Sequence, residues 1–358
     1  MIQDNGKLRV GILFGGKSAE HEVSLQSAGN VFDAIDRTKF EPVLIGIEKN
    51  GTWRLAEQIG QFDRLESGRP VALVPESNGR LADLSGQKGP ELPKLDVAFP
   101  ILHGPFGEDG TVQGLLKLAD IPFVGSGVLA SAVGMDKDVM KRLFREAGIP
   151  IGRFRCLTPE NKSSFEELKA ELGIPMFVKP ANMGSSVGIG KVSDGAGFSA
   201  ALQNAFSYDT KVIVEAYVHG REIECAVLGN ESPSASVPGE VIPSHDFYSY
   251  EAKYLDENGA RLEVPAQIDN AAAGRIRALA VRAFEVLGCR GIARVDFFLR
   301  QDGEVLVNEI NTMPGFTKIS MYPKLWAASG IDYTELITRL ITLALRQFDR
   351  ERNLLTSR

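Results

Sequence analysis

The chain reads as an α/β protein of two or three domains that begins with an open α/β domain. Three observations predict this. Buried-strand runs alternate with stretches of helical spacing from Leu8 onward. Glycine-rich turns follow several of these strands, where open α/β sheets place their ligands. The 358 residues exceed what one core usually holds, at roughly 100–200 residues per domain.

In order, Leu8 to Phe14 is a buried-strand run leading into Gly15-Gly16, and Leu25, Ala28, Val31, Phe32 and Ile35 then recur at helical spacing. Phe40 to Ile47 is the next strand, Asn50-Gly51 marks a tight hairpin turn, and Leu95 to Leu102 runs as a strand into His103-Gly104. Thr111 to Ala119 reads as a helix and Ile121 to Val124 as a short strand, so the first domain is expected to span 1–126, ending at Ser126. A second unit, 127–214, holds a helix from Lys137 to Ala147 that Asp136 caps and Gly148 and Pro150 close. Ser164 and Glu167 have capping-box spacing for another helix, which ends at Gly173-Ile174-Pro175. Strand Met176 to Lys179, a glycine-rich loop and strand Ile189 to Val192 follow. The third unit, 215–358, opens on the apolar run that starts at Lys211 and ends at Val218, the turn His219-Gly220 and the strand Glu222 to Leu228. Ser244 to Arg261 is polar and aperiodic, a long loop of the kind that usually carries function, and is expected to be a lid. A helix from Asp269 to Leu287, a hairpin from Ala293 to Ile310 and a terminal helix capped by Asp332 and Glu335 complete the chain.

Composition narrows the function. With 46 Asp and Glu against 40 Lys and Arg, the net charge of −6 lacks the basic excess that nucleic acid or an anionic membrane would demand of a main partner. Cys156, Cys225 and Cys289 have neither metal-ligand nor redox spacing and read as small buried residues in a reducing compartment. With neither a signal peptide nor a long apolar span to be read, a cytoplasmic location is expected.

Four segments point to chemistry. Gly11 through Ser18 satisfies the phosphate-loop pattern G-x-x-x-x-G-K-S, but its first glycine lies inside a strand run instead of after it, so the context argues against that role. Just beyond, Glu20 and Glu22 are both candidates to hold a cationic group. Lys179 emerges from an apolar strand into Pro180-Ala181-Asn182-Met183-Gly184-Ser185-Ser186-Val187-Gly188-Ile189-Gly190, an amide-rich flap able to close over phosphates. The hairpin is more specific. If Asp302-Gly303 is a two-residue turn, Asp296 stands opposite Glu309 and Arg294 opposite Asn311, all on one face. Two carboxylates about 5 Å apart across a strand pair repel unless a cation lies between them. Oxygen donors without His or Cys suit Mg²⁺ or Mn²⁺, which bridge acids to phosphates. Val295, Phe297, Val305 and Val307 would fix the other face in the core, and a bulge would break this register. Finally, Val212 to Val218 with Glu222 could read an adenine edge and hold ribose hydroxyls.

Taken together these residues resemble the ATP-grasp enzymes and, within them, the D-alanine:D-alanine ligases. The resemblance rests on Gly15 to Ser24, Leu102-His103-Gly104 with Gly107-Glu108-Asp109-Gly110, Met135-Asp136-Lys137, Lys179-Pro180 with Gly184 to Gly188, Tyr250-Glu251-Ala252-Lys253-Tyr254, and Asn308 to Gly315. It implies a three-domain ATP-grasp architecture with a Rossmann-like N-terminal domain, ATP gripped between the other two, and a homodimer. Lys137, Lys179 and Ser186 would hold phosphates; Glu215, Tyr217 and Val218 would frame adenine; Glu222 would hold the ribose; and Phe247, Lys253 and Asn308 would also face ATP. Asp296, Glu309 and Asn311 would ligate Mg²⁺ or Mn²⁺, with two ions expected. Glu22 would bind the ammonium of the first D-alanine and link to Ser185 and Tyr254. His103 would approach the reacting groups, Ser320 and Met321 the second amino acid, and Arg294 with the Gly315 amide the oxyanion.

The implied reaction phosphorylates one D-alanine carboxylate to an acyl phosphate, which the amine of a second D-alanine attacks. Tyr254 favours the dipeptide product over D-alanyl-D-lactate. Another ATP-grasp carboxylate–amine ligase and a nucleotide-binding module without turnover are the competing readings.

Overall fold

The computed structural model describes residues 6–56, 67–87, 89–243, 260–317 and 319–355. Its strands form three sheets. The first comprises β1 (Leu8–Gly15), β2 (Phe40–Ile47), β3 (Trp53–Ala56), β4 (Arg69–Leu73), β5 (Leu81–Asp83) and β6 (Val97–Ile101), in the order β5-β4-β3-β2-β1-β6. Only β2, β1 and β6 run parallel, whereas β3 to β5 are antiparallel. The expected parallel sheet is therefore half of a mixed one, because the turn at Asn50-Gly51 reverses the chain: Gly51 has φ +96° and its N–H bonds the Glu48 carbonyl at 2.8 Å. Phe123 makes an isolated bridge to Ala98 where a short strand was predicted. Helices α1 (His21–Ala34) and α2 (Thr111–Leu118) follow β1 and β6.

Two helices, α3 (Val128–Met135) and α4 (Lys137–Glu146), come next. Asp136 caps α4 by accepting from the N–H groups of Asp138 and Val139, which places Lys137 at the first helical position. The second sheet has the order β7-β10-β8-β9, from β7 (Phe154–Leu157), β8 (Met176–Pro180), β9 (Gly190–Val192) and β10 (Val212–Ala216). Helices α5 (Phe165–Leu172) and α6 (Gly195–Phe206) complete a small core containing Leu168, Val178, Phe198, Val212 and Val214. The predicted capping box at Ser164 and Glu167 is formed in both directions. The expected join between 214 and 215 falls inside β10, whose pairing with β7 and β8 carries Glu215 in this sheet.

The third sheet has the order β14-β13-β11-β15-β16, with β12 (Ser234–Ala235) paired to β11. Its members are β11 (Arg221–Gly229), β13 (Gly239–Pro243), β14 (Ala260–Glu263), β15 (Gly291–Leu299) and β16 (Val305–Asn311). On one face lies α7 (Asn270–Val286), and Ala130, Met140 and Phe144 of α3 and α4 join its core with Phe284, Val295 and Val307. On the other lie α8 (Met321–Ala328) and α9 (Tyr333–Arg352), whose Tyr322, Leu336 and Leu340 share a core with Val10, Phe14 and Phe99 of the first sheet. Each large apolar side chain so buried contributes about 1.5–3 kcal/mol, so the first and third sheets are joined by a common core and the second keeps its own.

The β15–β16 hairpin carries a surprise. Arg294 pairs with Asn311 and Asp296 with Glu309, as predicted, yet the turn has three residues, with Arg300 and Glu304 closing it. A bulge between the Asp296 and Phe297 pairs takes up the extra residue at Asn308. The two departures from the expected geometry cancel. Without the bulge, strict alternation would put Val307 and Glu309 on one face; with it, Val307 is buried and Glu309 lines a cavity.

Candidate active site

All three sheets contribute to a cavity of about 540 Å³. From the first come Glu20, His103 and Glu108; from α4 before the second, Lys137, and from the loop between its β8 and β9, Gly184 and Ser185; from the third, Glu224, Arg294, Glu309, Asn311, Gly315, Ser320 and Met321. Its floor is the sheet itself. Strand pairing sets Glu224, Asp296 and Glu309 side by side across β11, β15 and β16, with Arg294 and Asn311 in the adjoining row. Arg294 grips Asp296 with two hydrogen bonds of 2.7 Å and lies 3.0 Å from Glu224. Burial disfavours its charge, but Asp296 and Glu224 outweigh burial and hold the guanidinium protonated.

Lys137 donates to the Met183 carbonyl at 2.7 Å and lies 3.5 Å from Glu309. The protein's own cations thus flank the carboxylate pair, where the sequence suggested that a metal was needed to resolve their repulsion. Among the described residues, no three of His, Cys, Asp and Glu gather into a metal-binding group. What the floor offers instead is two carboxylates and the Asn311 amide oxygen, itself 3.2 Å from the Met313 N–H. Such a hard, oxygen-only set fits a divalent cation that takes its remaining ligands from phosphate and water.

Lys179, next to last in β8, lies 2.5 Å from one oxygen of Glu215, while Lys141 lies 2.8 Å from the other. Burial alone would raise the Glu215 pKa, but the two ammonium groups hold it well below the usual carboxylate range. Between β8 and β9, Ser185 and Ser186 have φ values of 50° and 61°, a left-handed region sparsely used by residues other than glycine. Outside the cavity, Tyr217 packs edge-on against His219 at 4.4 Å between centroids and lies under Lys191. Glu222 lies opposite Phe298 and Val241, near enough to Lys179 to help keep it charged. Val218 packs toward Gly152, and Asn308 contributes its carbonyl to Lys141 at 3.0 Å. None of these four residues lines the cavity. Phe247, Lys253 and Tyr254 lie outside the described residues, as does the expected lid up to residue 259; its last two residues, Ala260 and Arg261, belong to β14.

One substrate residue must be corrected. Glu22 is exposed, bonded to Lys49 at 2.6 Å, and absent from the cavity, whereas Glu20 lines it and accepts a hydrogen bond from Ser185. Glu20 is the N-cap residue of α1 but its carboxylate makes no capping bond, which leaves it directed to the flap. Two residues on, at 3.6 residues per turn, a helical side chain has rotated by roughly 200°. The Gly15 N–H bonds Ser24 at 2.7 Å and Ser24 bonds the Ile101 carbonyl, so this helix start is tied to the ends of β1 and β6.

His103 approaches the Met313 carbonyl at 3.0 Å through Nδ1 and Ser27 at 3.5 Å through Nε2. A carbonyl only accepts, so Nδ1 carries the proton, and burial favours the neutral ring. Glu108 accepts from the N–H groups of Gly104 at 2.7 Å and Met313 at 3.3 Å. Burial first and then Glu20 beside it push its pKa up to about 8. Together His103 and Glu108 hold both ends of the Met313 peptide. Ser320 bonds the Thr317 N–H at 3.0 Å, and a Cβ on Gly315 would come within 3.0 Å of the Ser320 hydroxyl. Sequence reasoning assigned no role to Glu108, Glu224 or Lys141. The signals were present: Glu224 is two residues from Glu222 on one strand face, and Lys141 is one helical turn beyond Lys137.

The apparent phosphate loop is not one. Gly11 lies within β1 against Leu95, and the Gly16 N–H is already bonded to the Ile47 carbonyl at 2.8 Å.

Along nearly its whole length the chain is similar to known proteins. The family models described as D-ala D-ala ligase N-terminus and C-terminus match residues 9–126 and 143–342. A D-alanine–D-alanine ligase A of Chromobacterium violaceum is 56% identical over 355 residues, 96% of each chain. Among solved structures, the D-alanine-D-alanine ligase of Coxiella burnetii superposes with a TM-score of 0.87 at 38% identity, covering 97% of this chain and 96% of that one. The VanG D-Ala:D-Ser ligase of Enterococcus faecalis gives 0.85 at 37%, covering 94% and 99%. The chain belongs to the D-alanine–D-alanine ligase family.

Proposed function

We propose that the protein joins two D-alanines into D-alanyl-D-alanine at the expense of ATP, a cytoplasmic step that supplies peptidoglycan precursors. The observation that carries this reading is the meeting, in one cavity, of a carboxylate at the first sheet (Glu20), a flap whose Met183 carbonyl is held by Lys137, and a floor of paired acids beside Arg294. In it, Glu20 in place of Glu22 receives the ammonium of the first D-alanine, which is attracted by a buried negative charge. The carboxylate of that D-alanine takes the γ-phosphoryl group from ATP, releasing ADP, to become an acyl phosphate; the amine of the second D-alanine then attacks the acyl carbon, gives up its protons and expels phosphate as the peptide bond forms. Lys137 and Lys179 neutralise phosphate charge, with Ser186 and the flap amides closing above it. Glu215, Tyr217, Val218 and Glu222, with Phe247, Lys253 and Asn308, attend the nucleotide. Arg294 and the Gly315 amide stabilise the oxyanion of the tetrahedral intermediate, whose charge is met by fixed donors. His103 and the Ser320–Met321 helix start orient the second substrate, and Tyr254 would complete the link from Glu20 through Ser185.

Asp296, Glu309 and Asn311 would hold Mg²⁺ or Mn²⁺, two ions in this reading, and when bound the metal would offset the charge on the transferring phosphoryl group. The division into units 1–126, 127–214 and 215–358, and a homodimer, belong to the same family-based reading.

The test is Mg²⁺- and ATP-dependent phosphate release by the full-length protein with D-alanine, L-alanine, D-alanine plus D-lactate, and D-alanine plus D-serine, followed by product mass. Release with D-alanine alone and the dipeptide mass are expected. Product formed only with D-lactate or D-serine, or no release with any pair, would overturn the reading.

A further inference from the structure

Lys141 has no part in the chemistry above, yet it is only 2% exposed. A lysine is almost never so deeply buried unless paired. It projects from α4 one turn beyond Lys137, and its ammonium has two partners: Glu215 Oε1 at 2.8 Å, on the edge sheet that carries the flap, and the Asn308 carbonyl at 3.0 Å, at the bulge of the metal-facing strand. The other oxygen of Glu215 is taken by Lys179 at 2.5 Å. Two ammonium groups therefore share one carboxylate.

The sharing decides what Lys179 can do. If Glu215 had Lys179 as its sole cation, that pair would be neutral and phosphate would have to compete with a buried carboxylate for the ammonium. With Lys141 on the opposite oxygen, Glu215 is already compensated, and the trio retains one net positive charge at the end where Lys179 leaves β8. The Asn308 contact adds a geometric link. The bulge residue precedes Glu309, so the lysine that balances the nucleotide carboxylate also fixes the backbone next to a proposed metal ligand.

We infer that Lys141 is a positioning residue for Mg²⁺-nucleotide, acting through Glu215 and the Asn308 carbonyl and without touching the substrates. This rests on the ATP-dependent reading, and the experiment separates the two. Mg²⁺-ADP binding is titrated calorimetrically on the full-length wild type, K141M, K141R, E215Q and E215Q/K141M, with circular dichroism confirming each fold, and KM for ATP and for D-alanine is measured alongside. K141M should weaken Mg²⁺-ADP about tenfold or more and raise KM for ATP in step, while KM for D-alanine stays within about twofold. K141R should recover most of the loss. In the E215Q background the carboxylate that Lys141 balances is gone, so the K141M effect should shrink. Unchanged Mg²⁺-ADP affinity in K141M, or an equal loss with and without Glu215, would overturn the inference. Should K141M fail to fold, E215Q/K141M against E215Q and K141R against wild type carry the same comparison. A wild type that binds Mg²⁺-ADP but makes no dipeptide would end the proposed reaction while leaving the role of Lys141 to be decided by the titrations.

Discussion

The floor of the cavity and its wall at the start of α1 are built from the same materials, carboxylates beside cations, but they are positioned by different devices. On the floor, Glu224, Asp296 and Glu309 stand in a row because the pairing of β11 with β15 and of β15 with β16 sets them opposite one another on one face. At the wall, Glu20 faces the cavity and Glu22 faces Lys49 because a helix begins between them. A ladder positions side chains by pairing, and a helix start positions them by one backbone rotation, so the second is far more sensitive to where the element begins.

The strongest test of the floor is E309Q. Losing one charge from the paired acids should leave the fold intact and lower Mg²⁺-dependent turnover by about 100-fold or more, read as dipeptide formation across a Mg²⁺ series. A near-normal rate would mean that the floor is a structural charge network and not the reactive one. The wall is tested next by setting E20Q against E22Q. E20Q should raise KM for D-alanine about tenfold, since a charge facing the cavity is lost. E22Q removes only an exposed ion pair and should change it by less than about twofold. The opposite ranking would return Glu22 to the site.

The smallest effect concerns the clamp that joins wall to floor. Glu108 has its pKa raised from 4.5 to about 8, so the folded protein keeps a proton that the unfolded chain releases at lower pH. Its contribution to stability must then decline as pH rises from the ordinary carboxylate range through about 8. Urea unfolding midpoints measured across that window should fall with pH in the wild type and fall less steeply in E108Q. Identical slopes would show that the carboxyl is already ionised in the fold.

Much of this was legible in the sequence because strands and capped helices follow short-range rules. Asp136, Ser164 and Asp332 cap the helices expected of them, and Asp269, expected only to begin one, caps it. The floor was legible for a subtler reason: a turn one residue longer than expected and a bulge of one residue offset each other. The bulge had a signal of its own, since apolar Val305 and Val307 and polar Glu309 and Asn311 share one parity in a strand whose two faces must differ. Less legible were β7, α3 and α6. Four residues with an exposed Arg155, or runs dominated by Ala and Gly such as Gly195 to Ala205, show no clear period. Glu20 was missed because the motif holding it contains two acids, and the choice between them depends on the cap conformation. Lys141 was missed because its partners, Glu215 and Asn308, are 74 and 167 residues away in a chain whose second and third sheets only folding brings together.

Asn308 is a residue the sheet could do without. Removing it alone would let Val307 be followed directly by Glu309, restore an unbroken ladder to Asp296, and leave every buried and every cavity-facing side chain of the strand on its present side. The losses would be the carbonyl turned out to Lys141 and the amide side chain proposed to attend the nucleotide. A shorter chain would make the more regular hairpin; the surplus residue instead brings a backbone carbonyl to Lys141, a contact that no substitution of the side chain at 308 can remove.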